Sequence, residues 1–459
     1  MSDPHHHHIH SPSEIAVELR PFASRIVVGL IAACAIAVAI SAVVLWPSHR
    51  QHEVPVQFQS AAPGGRIDFV TGEVVAQSRA ACLNKQAGMV LAEAAAVAPT
   101  ADGPCIDSTV RITSGKDKDA YTLLEVATNR AQSGTAPGQV RQELSRSQLD
   151  KPQPGQPDLQ IGDKVRLIAS PGADGSSTSY TFYDFSRGRS TIVWAVLFVL
   201  AVVLVAAWRG LRSVIGLVLA FVVLLYFALP AILDGESPVA VALTASAAIL
   251  LVVIYLAHGV SLRTSAALLG TLTSLAAAAV LSYLAVATMK LTGLSGEQTT
   301  NLQVYQNGIS TDGILLAGFI IGALGVLNDV TITQASAVFE LASGGRSRRE
   351  SFTAAMRVGR DHIASTVYTL VFAYAGSALP LLLLFSVAGQ SFSDLATTDT
   401  VAVELARAFV GGIAIAASVP LTTGIAVLLV HRHERPDNLR APLDPTKIGV
   451  AGRHARRAE

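Results

Sequence analysis

Asn328 and Asp329 stand side by side inside an otherwise apolar run, 313–341 (GILLAGFIIGALGVLNDVTITQASAVFEL), with Thr331, Thr333 and Gln334 close behind. Such residues offer proton carriage: a carboxylate that alternates between charged and neutral forms, with amides and hydroxyls to orient the proton. On a helix at about 100° per residue, Gly318, Gly322, Gly325, Asp329, Thr333, Ser336 and Glu340 share one narrow face. Small residues in a stripe let a second helix approach closely. Gly318, Gly322 and Gly325 are therefore expected to pack against a neighbour and to bury Asp329 in the seam. The candidate proton or substrate path is Asn328, Asp329, Thr333, Gln334 and Glu340. The plainer reading is that Asp329 marks the end of a span, with the polar residues after it already in water. Ile332, Ala335, Val338, Phe339 and Leu341 continue the apolar pattern beyond it, which favours a position inside the membrane.

The elements that must position these residues follow from composition. Hydrophobic residues make up 51% of the chain and charged ones 15%, the balance of a multi-span membrane protein. The formal net charge is +1, which offers nucleic acid no electrostatic footprint. Eight apolar runs, about 26–46, 191–208, 213–232, 238–257, 264–289, 313–341, 363–388 and 405–430, approach or exceed the ~20 residues that cross a bilayer. They predict an α-helical integral membrane protein of about eight transmembrane helices, with one small β-rich extracytoplasmic domain between the first and second. The divisions are a cytoplasmic tail 1–25, a helix 26–46, the external domain 47–190, a seven-helix bundle 191–430 and a second tail 431–459.

Orientation comes from Lys and Arg. With eight spans drawn, Arg20, Arg25, Arg209, Arg212, Arg263, Arg346, Arg348, Arg349, Arg357 and Arg360 fall on one side, joined by the basic tail from His431. The opposite loops hold Asp234, Glu236, Glu297 and Asp312, with Lys290 as their base. The positive-inside rule then places both termini in the cytoplasm. The first run lacks a small-x-small cleavage site and reads as an uncleaved anchor rather than a signal peptide. The His5–His8 run with His10 reads as an unstructured tail or an appended tag, not a metal site, since no Cys or spaced acid accompanies it.

Within 47–190, β-like runs recur at Arg66–Ala76, Thr109–Thr113, Tyr121–Ala127, Gln160–Ile168 and Thr178–Phe185. Turn signals at 63–65 and 173–175 separate them, and 131–158 reads as a long loop. Five short strands suggest a small barrel or sandwich, with the oligonucleotide/oligosaccharide-binding type as one option. Cys82 and Cys105 are its two cysteines, and outside the cytoplasm they either pair or remain unrelated thiols. Pairing is the simpler expectation.

In the later spans, Thr264, Ser265, Thr271, Thr273 and Ser274 suit a tightly packed inner helix, and His258 reads as interfacial. The polar loop 290–312 is read as external. In GGRSRRESFTAAMRVGRDHIAS, two glycines end the long helix, and Ser347 with Glu350 forms a capping-box pattern. A short helix along the inner membrane surface is expected there. Its arginines set topology, or alternatively meet lipid head groups or Glu340. Pro380 predicts a kink in the seventh span, and Glu404 and Arg407 lie one turn apart and can pair.

No phosphate-binding loop, nucleophile elbow, HExxH or paired-cysteine metal motif is present, so the sequence supports no enzymatic activity, cofactor or metal. The segments AGFIIGALGVLNDVTITQASAVFEL (317–341), VGRDHIASTVYTLVFAYAGSALPLLLL (358–384) and HGVSLRTSAALLGT (258–271) resemble the YibE/F family of bacterial polytopic membrane proteins over about 190–430. That resemblance implies a multi-pass protein of the bacterial plasma membrane with a presumed transport role. The layout of a Gly-rich span with a mid-helix Asp, a cytoplasmic loop and a further span also resembles resistance–nodulation–division exporters and protein-export motors. Their six spans per unit differ from the count here. The functional expectation is a proton-coupled transporter or export motor of unspecified substrate. The alternative is a non-transporting scaffold that presents the external domain to a membrane or envelope protein partner. The bilayer itself is the one partner common to both.

Overall fold

The structure, a computed structural model, describes residues 21–48, 67–94, 100, 102–131, 145–171, 178–294, 297–305, 308–389 and 391–430. The His5–His8 run, the tail from 431 and the turns expected at 63–65 and 173–175 lie outside the described residues. The chain forms two compact units, His52–Leu204 and a second made of Met1–Gln51 with Val205–Glu459.

In the first unit, alternating apolar residues make strands because successive side chains point to opposite faces. β1 (Asp68–Ala80), β2 (Cys105–Ile112), β3 (Tyr121–Ala127), β4 (Lys164–Pro171) and β5 (Thr178–Phe185) form one sheet in the order β3-β2-β1-β4-β5. Every neighbouring pair is antiparallel. The alternate positions Val70 and Val74 of β1 are buried with Val110, Ile112, Leu124, Val126, Val165, Leu167 and Tyr180. A bulge between Val74 and Ala76 bends β1, the central strand of the sheet. The segment between β1 and β2 then ties the two sheet edges together. Leu91 exchanges backbone hydrogen bonds of 2.8 Å with Tyr121 on β3, and the Gly88 carbonyl accepts from the Tyr180 amide on β5 at 2.7 Å. The result is a five-stranded half-barrel. Gly162 (φ 93°) makes the turn that feeds β4, with its amide donating to the Val74 carbonyl. Cys82 and Cys105 are joined by a disulfide, with Cα atoms 5.2 Å apart. The segment expected as one long loop holds a short helix, Arg146–Leu149, whose side is pinned by Arg130 donating to Asp150 at 2.7 Å.

The second unit is helical. Its long elements are α1 (Pro21–Val44), α2 (Gly188–Val223, begun in the other unit), α3 (Pro238–His258), α4 (Leu262–Met289), α5 (Thr311–Ser343), α6 (Arg348–Ser377), α7 (Leu379–Val387) and α8 (Asp399–Leu429). Among the described residues, six helices are long and apolar enough to cross a membrane, and the pair α6 and α7, bent by 58°, makes a further candidate. The two apolar runs near 191–208 and 213–232 belong to one 46-residue stretch, Gly188–Leu233, that carries a π turn at Leu224–Ala228 and a backbone break at Ala207 (φ 49°, ψ −132°).

Caps explain the helix ends. Ser310 accepts from the Gly313 amide at the start of α5, and Gly344 and Gly345 close it. Ser347 and Glu350 form the expected capping box, with the Ser347 amide donating to Glu350 at 2.8 Å. The helix it starts is not a separate surface helix, however. α6 runs unbroken from Arg348 to Ser377, because no proline interrupts it before Pro380, and the bend falls beside that proline. The loop after α4 folds onto the bundle: Leu291 and Ile309 are buried, and Thr292 donates its hydroxyl to Asp399 at 3.0 Å.

α5 is the hub and packs against α3, α4, α6 and α8. The glycines that bring these helices together are not those the stripe suggested. A Cβ on Gly270 of α4 would strike Thr422 of α8, one on Gly359 of α6 would strike Val419 and lie 2.9 Å from Gln334 Oε1, and one on Gly411 of α8 would lie 2.8 Å from Leu370 of α6. Gly318 and Gly325 face open space, and Gly322 meets only the Tyr374 hydroxyl, at 3.3 Å from its would-be Cβ. The seam of α5 is made instead by the larger apolar residues Leu316, Phe319, Ile320, Leu327 and Val330. Gly318, Gly322 and Gly325 are therefore a correction: they leave a groove and do not close a helix–helix contact.

Candidate functional site

Asp329 lies in the middle of α5 and projects from this open groove, its side chain 71% exposed. Burial in a seam does not occur, because the three glycines ahead of it on the same face provide no wall. Across the groove, α6 places His362 with Nε2 3.8 Å from Asp329 Oδ2. His362 Nε2 is shut off from solvent and has no hydrogen-bond partner among the described residues, and the same holds for Asn328 Oδ1. The Asp329 carboxylate stands beyond hydrogen-bond distance of the unpartnered His362 Nε2. A small rotation of either side chain brings carboxylate and imidazole into contact, so the pair is able to pass or share a proton.

The remaining residues of the expected path do other work. Thr333 donates its hydroxyl to the Asp329 carbonyl at 2.9 Å, a bond within its own helix. Gln334 is buried and donates to the Ala355 carbonyl at 2.9 Å and to Thr423 Oγ1 at 2.7 Å, tying α5 to α6 and α8. Thr331 is hydrogen-bonded to Thr271 of α4 at 2.5 Å. Glu340 is exposed three turns further on. Of the five candidates, Asp329 is the one that the structure sets against His362.

Nearer the start of α5, Arg407 of α8 donates to both carboxylate oxygens of Glu404, at 3.0 and 2.9 Å. Its guanidinium lies 5.5 Å from the Phe319 ring and 5.6 Å from the Tyr374 ring. Tyr374 in turn borders Gly322. The groove thus carries one charged pair toward its beginning and the Asp329–His362 pair toward its middle, with tyrosine between.

His362 was not singled out from the sequence. Its partner is 33 positions away, and only the antiparallel packing of α5 and α6 brings the two together. The available signal was a histidine and an aspartate in two segments that each carry the resemblance stated above. In the β domain, Glu125 approaches the sulfurs of Cys82 and Cys105. Those sulfurs are bonded to one another, so neither is a thiolate available to a metal.

These features describe a bundle of apolar helices around one central, polar-faced helix, with a half-barrel domain carried ahead of most of it. The model of the family described as YibE/F-like protein matches residues 194–432, more than half the chain, and the chain belongs to that family. No curated protein and no solved structure matches it. The likeness to resistance–nodulation–division exporters accordingly remains one of layout.

Proposed function

We propose that the protein is a proton-coupled transporter or export motor of the bacterial plasma membrane, in which Asp329 and His362 exchange the coupling proton. The observation that carries this is the pairing of a carboxylate and an imidazole at mid-length on α5 and α6, with Asp329 inside an apolar run and His362 next to Arg360 and Asp361 at the polar start of α6. An ionised acid facing lipid at mid-bilayer costs at least about 2.5 kcal/mol, so such a residue is kept where it is protonated, paired or watered during use. In this reading the glycine groove is the water path to the acid, and charge loss on Asp329 lets α5 and α6 shift against each other. Both termini lie in the cytoplasm and the β domain lies outside it, in keeping with the basic residues of the short loops.

A second reading has its own support. An open stripe with an exposed acid also suits contact with a separate membrane protein, which would make the chain a scaffold for the β domain. Asp329→Asn separates the two, since it keeps size and hydrogen bonding but removes the proton site. In a deletion strain, the Asn variant at normal protein level is expected to fail to complement while the protein still folds and captures partners. Full complementation would sink the transporter reading and favour the scaffold.

A further inference from the structure

Three segments distant in sequence turn basic side chains into one cavity of about 440 Å³ in the helical unit. Arg209 and Arg212 stand just beyond the break at Ala207, His258 ends α3, and Arg263 sits in the first turn of α4. Ser213 and Ser336 add hydroxyls to the wall, and no Asp or Glu lines it among the described residues. Nor does any of the three guanidiniums make an ion pair among the described residues, whereas Arg407 is neutralised by Glu404.

We propose that this cavity binds a phosphate-bearing anion, supplied either as the head group of an acidic phospholipid or as free phosphate. Like charges gathered in a concave site repel one another and focus a positive field, and an anion relieves both effects. Guanidinium forks match phosphate oxygens in pairs, and the start of α4 adds the positive end of a helix. The volume falls within the ~300–1,000 Å³ typical of small-ligand sites. The positive-inside rule alone accounts for arginines in these turns, but not for their convergence. Arg346, Arg357 and Arg360 belong to the same side and do not line the cavity. Ser336 belongs to α5, so an occupant would touch the helix that carries Asp329. The proposal does not depend on Asp329 carrying a proton, and it is tested without a transport assay.

The test uses purified full-length protein. Binding of phosphatidylglycerol and phosphatidylcholine is compared by native mass spectrometry, and inorganic phosphate is compared with chloride at equal ionic strength by thermal shift. Wild type is expected to prefer phosphatidylglycerol, to be stabilised by phosphate, or both. Each Arg→Gln change among Arg209, Arg212 and Arg263 is expected to lower affinity about fivefold. Arg→Lys at all three should retain most of it. The triple change R346Q/R357Q/R360Q removes equal charge elsewhere and should leave binding intact. Selective lipid binding without a phosphate effect assigns the head group, a phosphate effect without lipid selectivity assigns the free ion, and both together assign the phosphate group itself. If R209Q or R212Q does not fold, R263Q alone is read against the same fivefold expectation. Equal binding of both lipids with no phosphate shift, or equal losses in the cavity and control variants, overturns the proposal.

Discussion

Asp329 Oδ2 and His362 Nε2 face one another at 3.8 Å across α5 and α6, too far for a hydrogen bond. If this pair is a relay, either half alone is useless. His362→Gln is therefore expected to reproduce the defect of Asp329→Asn, a loss of about 100-fold or more in the rate of any proton-coupled process. The double variant should be no worse than either single one, because residues acting as a unit are not additive. Complementation of the deletion strain by the three variants, at matched protein levels, makes the comparison. Additive defects would show two independent roles.

Glycines separate packing from exposure on these helices. Gly359→Leu forces a side chain into Val419 and Gln334, and Gly411→Leu forces one into Leu370. Each is expected to destabilise the bundle by about 1–3 kcal/mol or more, as overpacking does. Gly318→Leu and Gly325→Leu enter open space and should leave thermal stability in detergent unchanged within about 0.5 kcal/mol. If Gly325→Leu abolishes function while stability is preserved, the groove itself is needed, as a water path or a docking face.

The sequence carried the strands better than the helix seams, for physical reasons. Tyr121–Ala127 and Thr178–Phe185 are both read correctly because alternation and flanking turns leave a half-buried strand few choices. Apolar runs likewise mark helices, and Pro380 marks the bend after Ser377. Which face of a helix meets another is a different question. In an apolar surrounding, residues that pack and residues that face lipid have the same composition. The stripe of Gly318, Gly322 and Gly325 therefore looked like a seam, while Gly270, Gly359 and Gly411, which form no such stripe, make the closest approaches between helices. The polar start of α6 misled in the same way: Arg349, Arg357 and Arg360 suggested a surface helix, yet Ser351, Ala355 and Gly359 are buried and the helix continues. His362 was hidden because nothing local marks a partner on another helix.

The disulfide is expected to stabilise the half-barrel. It closes a loop of 23 positions, for which chain entropy predicts about 3 kcal/mol. Cys82→Ser with Cys105→Ser should lower protection of β2 from hydrogen exchange in the intact protein by a corresponding amount. An unchanged β2 would mean that the Cys82 turn is held by Glu125, which accepts from the Leu83 and Asn84 amides at 3.0 and 2.8 Å.

Beside that turn, Asp107 supplies a pH test. It is buried on β2 and accepts from Asn84 Nδ2 at 2.8 Å, while its other oxygen lacks a partner among the described residues. Burial holds its carboxyl above the ordinary carboxylate range, the Asn84 bond opposes that, and nearby Glu125 adds to it. The folded domain therefore holds this proton more tightly than the unfolded chain. The stability that follows is present at low pH and is lost as pH rises from the ordinary range through the folded value. Asp107→Asn removes the titration, so the variant should gain on wild type as pH rises across that window. Hydrogen exchange of β2, corrected for intrinsic rates, measures the difference. A gap independent of pH would show that Asp107 does not titrate there.

The break at Ala207 bears on how often the stretch Gly188–Leu233 would cross a membrane. A continuous helix from Gly188 to Leu233 has 46 residues and would extend about 69 Å, more than twice the ~30 Å hydrocarbon core. It would also leave Arg209 and Arg212 within or beside lipid. A positive φ at an alanine is a conformation that helices do not tolerate, and here it falls two residues before Arg209. If the chain turns there, the stretch crosses twice, the two arginines face the cytoplasm, and Gly235 lies outside. If it crosses once, every later loop changes sides and Arg263, Arg346 and Arg360 become external, against the positive-inside rule. Reporter fusions after Arg212, Gly235, Arg263, Gly345 and Gly389 distinguish these directly. The expected pattern is cytoplasmic, external, cytoplasmic, cytoplasmic and external, and a cytoplasmic signal at Gly235 would replace eight crossings with seven.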